Sequence, residues 1–344
     1  MTALPAFDLE GPDAWRSSEL GPTERWVEHW QPEEIAELEA AVERVVASGR
    51  AGGVLRAEDF ALPRCKERIA GWFAELEHGR GFCLVRGLPV TRWGDERAAL
   101  AYLGLGLQMG GIQSQNAAGD RLGHIRDVGA DPDDPAVRLY KTRVAQPLHT
   151  DGADVIGLLC LRTAQSGGTS QIVSSVAVYR ALAERRPDLA ALLFEPFHFD
   201  RNEEQAAGEP PSFAIPICRR EGDKVRTFYV GWYIRDAQRH ASVPRLTDQQ
   251  RELLDLYDAI AASPELRLDM EFVPGDIQWL KNASILHGRT AYEDAGPPES
   301  RRHLLRLWVR ADSAQLGADP RVREVPRKEG VASDAAALAG NEAR

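Results

Sequence analysis

Val273-Pro274-Gly275-Asp276-Ile277-Gln278-Trp279-Leu280-Lys281-Asn282-Ala283-Ser284-Ile285-Leu286-His287-Gly288-Arg289 runs through a turn, an apolar stretch, a second turn and a histidine that opens a further element. Pro-Gly-Asp and Asn282 punctuate the chain because proline presets its backbone angle and Gly and Asn accept left-handed conformations. A turn, a strand, a turn and another strand is how a jelly roll returns a late strand beside an early one. Outward from this stretch, short apolar runs recur at Val155–Leu161, Thr169–Val173, Phe213–Ile217, Arg226–Val230, Asp276–Leu280 and His303–Val309. Short strands separated by turn signals point to a sandwich or jelly roll, not to a parallel sheet with alternating helices. The fold class expected is therefore mainly β with flanking helices, of jelly-roll, cupin-like form.

The helices announce themselves by period. Ile35, Leu38, Val42 and Val45 recur at helical spacing between Pro32 and Ser48, with Pro32 suited to the first turn and Gly49 to the stop. Further helices are expected over Arg64–His78, Asp95–Leu105, Val176–Arg185 and Thr247–Ala262, the last opened by a Thr-x-x-Gln capping box. Gly81–Gly87 reads as a buried strand. Residues 1–30 read as an irregular arm, 31–317 as a single catalytic domain and 318–344 as a frayed tail poor in large apolar groups. Asp200–Gly222 has the character of a mobile lid.

Composition narrows the classes of function. A formal net charge of -10 without any Lys/Arg-rich run argues against a nucleic-acid partner. The four cysteines, Cys65, Cys83, Cys160 and Cys218, lack the spacing of a zinc knuckle or a disulfide framework. The first thirty residues carry Asp8, Glu10, Asp13, Glu19 and Glu24 and no apolar core of a secretory signal, and no apolar stretch is long enough for a membrane span. The expectation is a cytoplasmic enzyme acting on a small molecule, free or as a homo-oligomer.

The chemistry concentrates in Pro147-Leu148-His149-Thr150-Asp151-Gly152. On a strand, residues i and i+2 share a face, so His149 and Asp151 offer an imidazole and a carboxylate side by side. These are two-thirds of a facial triad for iron(II), which needs one more histidine and leaves positions open for substrate and oxygen. A surface histidine beside a capping aspartate is the plainer alternative. His29 and His78 fall in or near surface helices, and His124, His198 and His240 in loop-like stretches, so His287 complements the pair best. A dicarboxylate such as 2-oxoglutarate would chelate the metal and need a buried cation for its far carboxylate. Arginine suits that task because its planar fork stays charged when desolvated. Arg302 and Arg306 stand four apart in an apolar run and so on one face of a strand, either for this purpose or as structural ion pairs, and Ser170 can add a hydroxyl. Gln115 and Asn116 are candidates for substrate contact. Tyr229, Trp232, Tyr233 and Arg235 either line a pocket or fill the core.

Four segments together carry a family resemblance: HTDGAD (149–154), GGTSQIVSS (167–175), PGDIQWLKNASILHGR (274–289) and RRHLLRLW (301–308). In their order and content they resemble the TauD/TfdA (taurine dioxygenase-like) branch of the iron(II)- and 2-oxoglutarate-dependent dioxygenases, including the clavaminate synthase-like amino-acid hydroxylases. The resemblance implies a double-stranded β-helix fold with Fe(II) held by His149, Asp151 and His287. It implies that Arg302, assisted by Ser170, binds 2-oxoglutarate, and that Arg306 anchors an acidic group of the prime substrate. The reaction implied consumes O2, oxidises a small polar molecule such as an amino acid or natural-product intermediate, and releases succinate and CO2. A metal-dependent hydrolase and a non-catalytic sensor are the alternatives. Arg302 argues against the first, and the complete ligand set exceeds what the second requires.

Overall fold

The computed structural model describes residues 6–311 apart from 53, 117 and 135. The expected tail lies outside the described residues. Two sheets organise the chain. The larger has seven strands. Val27–His29, Phe82–Arg86, Ile277–Lys281, Val155–Arg162, His303–Arg310 and Gly111–Ile112 follow one another across it, and Leu122–Ile125 also pairs with His303–Arg310. The smaller runs Leu268–Met270, Ser170–Ser174, Ile285–Arg289 and Gln146–His149, antiparallel throughout.

Strand alternation divides the core. Cys83, Val85, Leu159, Ile277, Trp279 and Leu305 point to a layer formed by the helices Pro32–Ala47, Lys66–His78 and Asp95–Met109. Their neighbours Phe82, Leu84, Ile156, Leu280 and Trp308 meet Ile172, Met270 and Ile285 of the smaller sheet in a second core. Covered on both faces, the strand Val155–Arg162 is almost continuously buried, which is why its sequence reads as an unbroken apolar run. A third core gathers Ser175–Arg185, Pro187–Leu192 and Asp248–Ala261. The last of these helices is capped reciprocally: Gln250 N–H donates to Thr247 Oγ1 (3.1 Å) and Thr247 N–H to Gln250 Oε1 (3.0 Å).

Three expectations change. Helices contribute as much as strands, so the fold is a mixed one in which β sheets hold the site and helices supply much of the core. The described residues before 31 are packed and in part regular: Val27–His29 joins the larger sheet, Trp15, Trp26 and Trp30 are buried, and Trp15 Nε1 donates to the Arg80 carbonyl at 2.8 Å. The stretch read as a lid is largely hairpin, Ser212–Pro216 pairing with Pro196–Asp200 and Cys218–Glu221 with Lys224–Thr227. Among the described residues, no helix is long and apolar enough to cross a membrane.

Gly157 sits where the helix layer presses hardest on the larger sheet. A methyl group there would collide with the Trp279 ring and the Tyr102 hydroxyl. Both side chains are fully buried. Gly157→Ala should therefore destabilise the protein by about 1–3 kcal/mol, the usual cost of overpacking, read as a lower midpoint in urea with an unchanged slope.

Candidate metal centre and adjoining cavity

His149 and His287 are directly opposite one another on antiparallel strands, and their ring centroids lie 4.4 Å apart. Asp151 joins them by a route other than strand alternation. The strand ends at His149, and Asp151 is held beyond it by Asn282, whose Oδ1 accepts from Asp151 N–H (2.8 Å) and whose Nδ2 donates to the Asp151 carbonyl (2.6 Å). One ligand atom from each of His149, Asp151 and His287 falls within 4.8 Å of the other two.

These groups fit a metal ion. His149 Nδ1–H donates to the Pro147 carbonyl at 2.8 Å, so the lone pair is on Nε2, where Gln146 Nε2 meets it at 3.2 Å. Burial, with His287 adding to it, pushes the His149 pKa down to about 3, leaving a neutral imidazole of the kind metals bind. His287 Nδ1 is buried without a partner among the described residues. Burial alone would raise the Asp151 carboxyl, but Arg306, then His287 and His149, hold it well below the usual carboxylate range. Arg306 Nη1 and Trp308 Nε1 each donate to Asp151 Oδ2 at 3.0 Å, which leaves Oδ1 on the side of His149, 3.9 Å from its Nε2.

The two arginines singled out in the sequence enter different surroundings, because a register shift between His303 and Leu304 breaks the simple alternation. Arg306 borders the cavity and donates through Nε to Gln115 Oε1 (2.8 Å). Arg302 is buried over the Tyr292 ring, 4.9 Å from its centroid, with Nη1 lacking an acceptor. Burial lowers its pKa from the ordinary arginine value. Ser170 is buried in register with Arg289. Arg289, which the sequence reading passed over, lies two residues after His287. Its guanidinium donates to the carbonyls of Thr142 (2.5 Å) and Val144 (2.7 Å), tying down the segment that leads to His149. Burial, then Arg302, pushes its pKa down to about 10.

A cavity of about 530 Å³ opens onto His149, Asp151, Arg306 and Trp308 and extends between Tyr140, Trp232, Tyr233 and the loop after Asp200. Gln115 lies behind its wall: its Nε2 donates to the Arg306 carbonyl at 2.8 Å, so it steers that arginine. Asn116 closes a turn, donating to Asp120 Oδ2 (2.7 Å) and accepting the N–H groups of Ala118 and Asp120. Trp232, Tyr233 and Arg235 line the cavity, whereas Tyr229 belongs to the core.

Comparison with known proteins bears on this arrangement. The model of the "Taurine catabolism dioxygenase TauD, TfdA family" matches residues 47–308. The chain belongs to the TauD/TfdA family. It is thereby a non-haem iron, 2-oxoglutarate-dependent dioxygenase. The FR-33289 synthase of Streptomyces rubellomurinus is 29% identical over 89% of this chain and 91% of its own. A taurine hydroxylase-like protein of Stachybotrys chartarum is 30% identical over 86% and 77%. Among solved structures, an asparagine oxygenase in complex with Fe(II), hydroxyasparagine and succinate has a TM-score of 0.64 at 15% identity, covering 84% of this chain and 95% of that one. The iron oxygenase OrfP with iron and α-ketoglutaric acid has a TM-score of 0.59 at 15% identity, covering 84% and 95%.

Within this TauD/TfdA chain, Asn282 is not one of the three candidate ligands yet fixes the backbone of Asp151 from both sides. Asn282→Ala should weaken Fe(II) binding by about 10–100-fold, as losses of orienting groups around metal ligands do. An anaerobic Fe(II) titration checks it, and unchanged affinity would show that the turn holds Asp151 without Asn282.

Proposed function

We propose that the enzyme hydroxylates a small polar molecule, an amino acid or natural-product intermediate, while 2-oxoglutarate is converted to succinate and CO2. The observation that carries this reading is the convergence of His149, Asp151 and His287, the first two of them at the wall of a cavity bordered by both charged and aromatic side chains. The relatives support it: uridine-5'-phosphate, taurine and asparagine, which appear in their names, are all small and polar.

In this reading the two sheets, which share a core, are the walls of a double-stranded β-helix (jelly roll), and residues 31–317 are one catalytic domain. His149, Asp151 and His287 hold the iron. Arg302, with its unbonded Nη1, takes the far carboxylate of 2-oxoglutarate, and the Ser170 hydroxyl assists. Iron(II), 2-oxoglutarate and O2, when bound, supply the oxidising power, and the protein supplies orientation and exclusion of competing reactions. Trp308 and Arg306 hold Asp151 in its ionised form through Oδ2, with Oδ1 left on the side of His149. Arg306 has committed Nε and Nη1, so it offers an acidic substrate group only Nη2. Gln115 acts through Arg306, and Asn116 through the turn it closes. Trp232 packs edge-on to His149, 4.9 Å between centroids, and screens that ligand from water. Four buried cysteine thiols accord with a cytoplasmic enzyme. The acidic charge balance accords with the absence of a nucleic-acid partner, and association into a homo-oligomer is compatible with all of this.

Anaerobic titration of the apoprotein with Fe(II) and 2-oxoglutarate should produce the visible charge-transfer band of the chelate. His149→Ala and His287→Ala should abolish turnover. Arg302→Ala should raise the 2-oxoglutarate concentration needed for the band by about 10–100-fold, the worth of one charge-assisted hydrogen bond. A folded, iron-loaded protein without the band would favour the hydrolase or sensor, and full turnover by His287→Ala would sink the triad.

A further inference from the structure

Five arginines border the cavity, and four of them are answered by carboxylates of the chain. Arg138 pairs with Glu204, Arg235 with Asp258 (2.9 Å), Arg239 with Asp200 (3.0 Å) and Arg306 with Asp151 (3.0 Å). Arg201 is the exception. Its nearest carboxylate oxygen among the described residues is Glu209 Oε2, at 3.9 Å from Nη1, beyond hydrogen-bond reach. Its side chain is only 13% exposed, and Nε and Nη1 are shut off from solvent with no acceptor. Each of the two bidentate edges of a guanidinium, end-on and side-on, therefore contains an unbonded N–H.

Such a group is expensive to bury unsatisfied and is matched by a planar or tetrahedral oxyanion, which accepts two parallel hydrogen bonds. The surroundings hold the arginine ready. Its guanidinium lies over the Phe213 ring, 5.3 Å from the centroid, and its backbone N–H donates to the Pro211 carbonyl at 2.9 Å. The two residues after it, Asn202 (φ 52°) and Glu203 (φ 60°), both take the left-handed conformation that side chains disfavour. Asn202 N–H is pinned to Asp200 Oδ1 at 2.7 Å. Consecutive strained residues persist only where the structure around them over-determines the backbone, a situation common at ligand clamps.

We infer that Arg201 is a specificity-determining residue that reads an oxyanion (a carboxylate, phosphonate or phosphate) on the prime substrate. The inference rests on the oxygenase reading for the identity of the cavity as the substrate site. Rotation of the terminal side-chain bonds turns one open edge of the fork to the cavity, which Arg201 and Phe213 both border. The anion is then held on the loop after Asp200, and the rest of the molecule reaches toward the metal ligands. Arg306 does not serve in its place, because Asp151 and Gln115 already hold two of its three nitrogens.

The test uses anaerobic holoenzyme saturated with Fe(II) and 2-oxoglutarate, so that Arg302 is already occupied. The probes are methylphosphonate and its neutral dimethyl ester, with binding read by calorimetry and by perturbation of the chelate band. Wild-type protein should bind methylphosphonate at millimolar concentration and should not bind the ester. Arg201→Gln should weaken the anion at least about tenfold while keeping a chelate band. Arg201→Lys covers the case in which that variant does not fold: it keeps a charge but loses the planar fork, and should also bind more weakly. Equal affinity in wild type and either variant, equal affinity for the ester, or no binding to wild type would overturn the inference. Arg201-dependent anion binding in wild-type protein that forms no chelate band would instead sink the oxygenase reading, and with it the substrate role, while leaving Arg201 as the anion-binding residue of the cavity.

Discussion

The pairing of Ile285–Arg289 with Gln146–His149 is the constraint on which the site depends. It places two imidazoles, separated by well over a hundred residues of chain, directly opposite each other. At that point the strands approach so closely that a Cβ on Gly288 would lie 2.7 Å from the Gln146 carbonyl oxygen, so the residue after the histidine has no room for a side chain. The same strand pairs on its other side with Ser170–Ser174, which puts Ser170 beside Arg289. One strand thus carries His287, sets it opposite His149 and forms part of the wall where two arginines are buried.

From that strand a chain of satisfied polar contacts runs outward. Asp151 is gripped at its backbone by Asn282 and at its carboxylate by Arg306 and Trp308, and Arg306 is steered in turn by Gln115. A buried carboxylate is tolerable only when paired and hydrogen-bonded, and each member here restricts the next. Precision at the ligands therefore comes from residues contributed by four separate stretches of sequence, a network whose worth exceeds its separate pairs.

The sequence pointed to His149, Asp151 and His287 as candidate ligands for a partly mistaken reason. His149 and Asp151 do lie near one another, but a turn held by Asn282 brings the carboxylate round, not alternation along a strand. Local patterns located the helices Pro32–Ala47 and Asp248–Ala261 to within a residue or two, since period and capping are written in neighbours. What escaped was set by contacts distant in sequence. The bulge that separates Arg302 from Arg306 and the commitment of Gln115 to an arginine 191 residues away leave no local trace. Asn116 looked like a contact residue only because a turn-forming side chain and a ligand-binding one are the same in composition. Arg289 could have been noticed, since it stands two places after a histidine in an extended run.

Arg289 and Arg302 lie near each other inside the fold, neither forming an ion pair among the described residues, and both with their proton affinity lowered by burial. Two like charges kept in a dry interior work against folding. An anion that settled beside them would remove much of that repulsion, and whatever binds the native state alone stabilises it in proportion to its concentration. The lifetime of such a protein in a cell would then follow the supply of the dicarboxylate it consumes: scarcity would leave it easier to unfold and degrade, and plenty would preserve it.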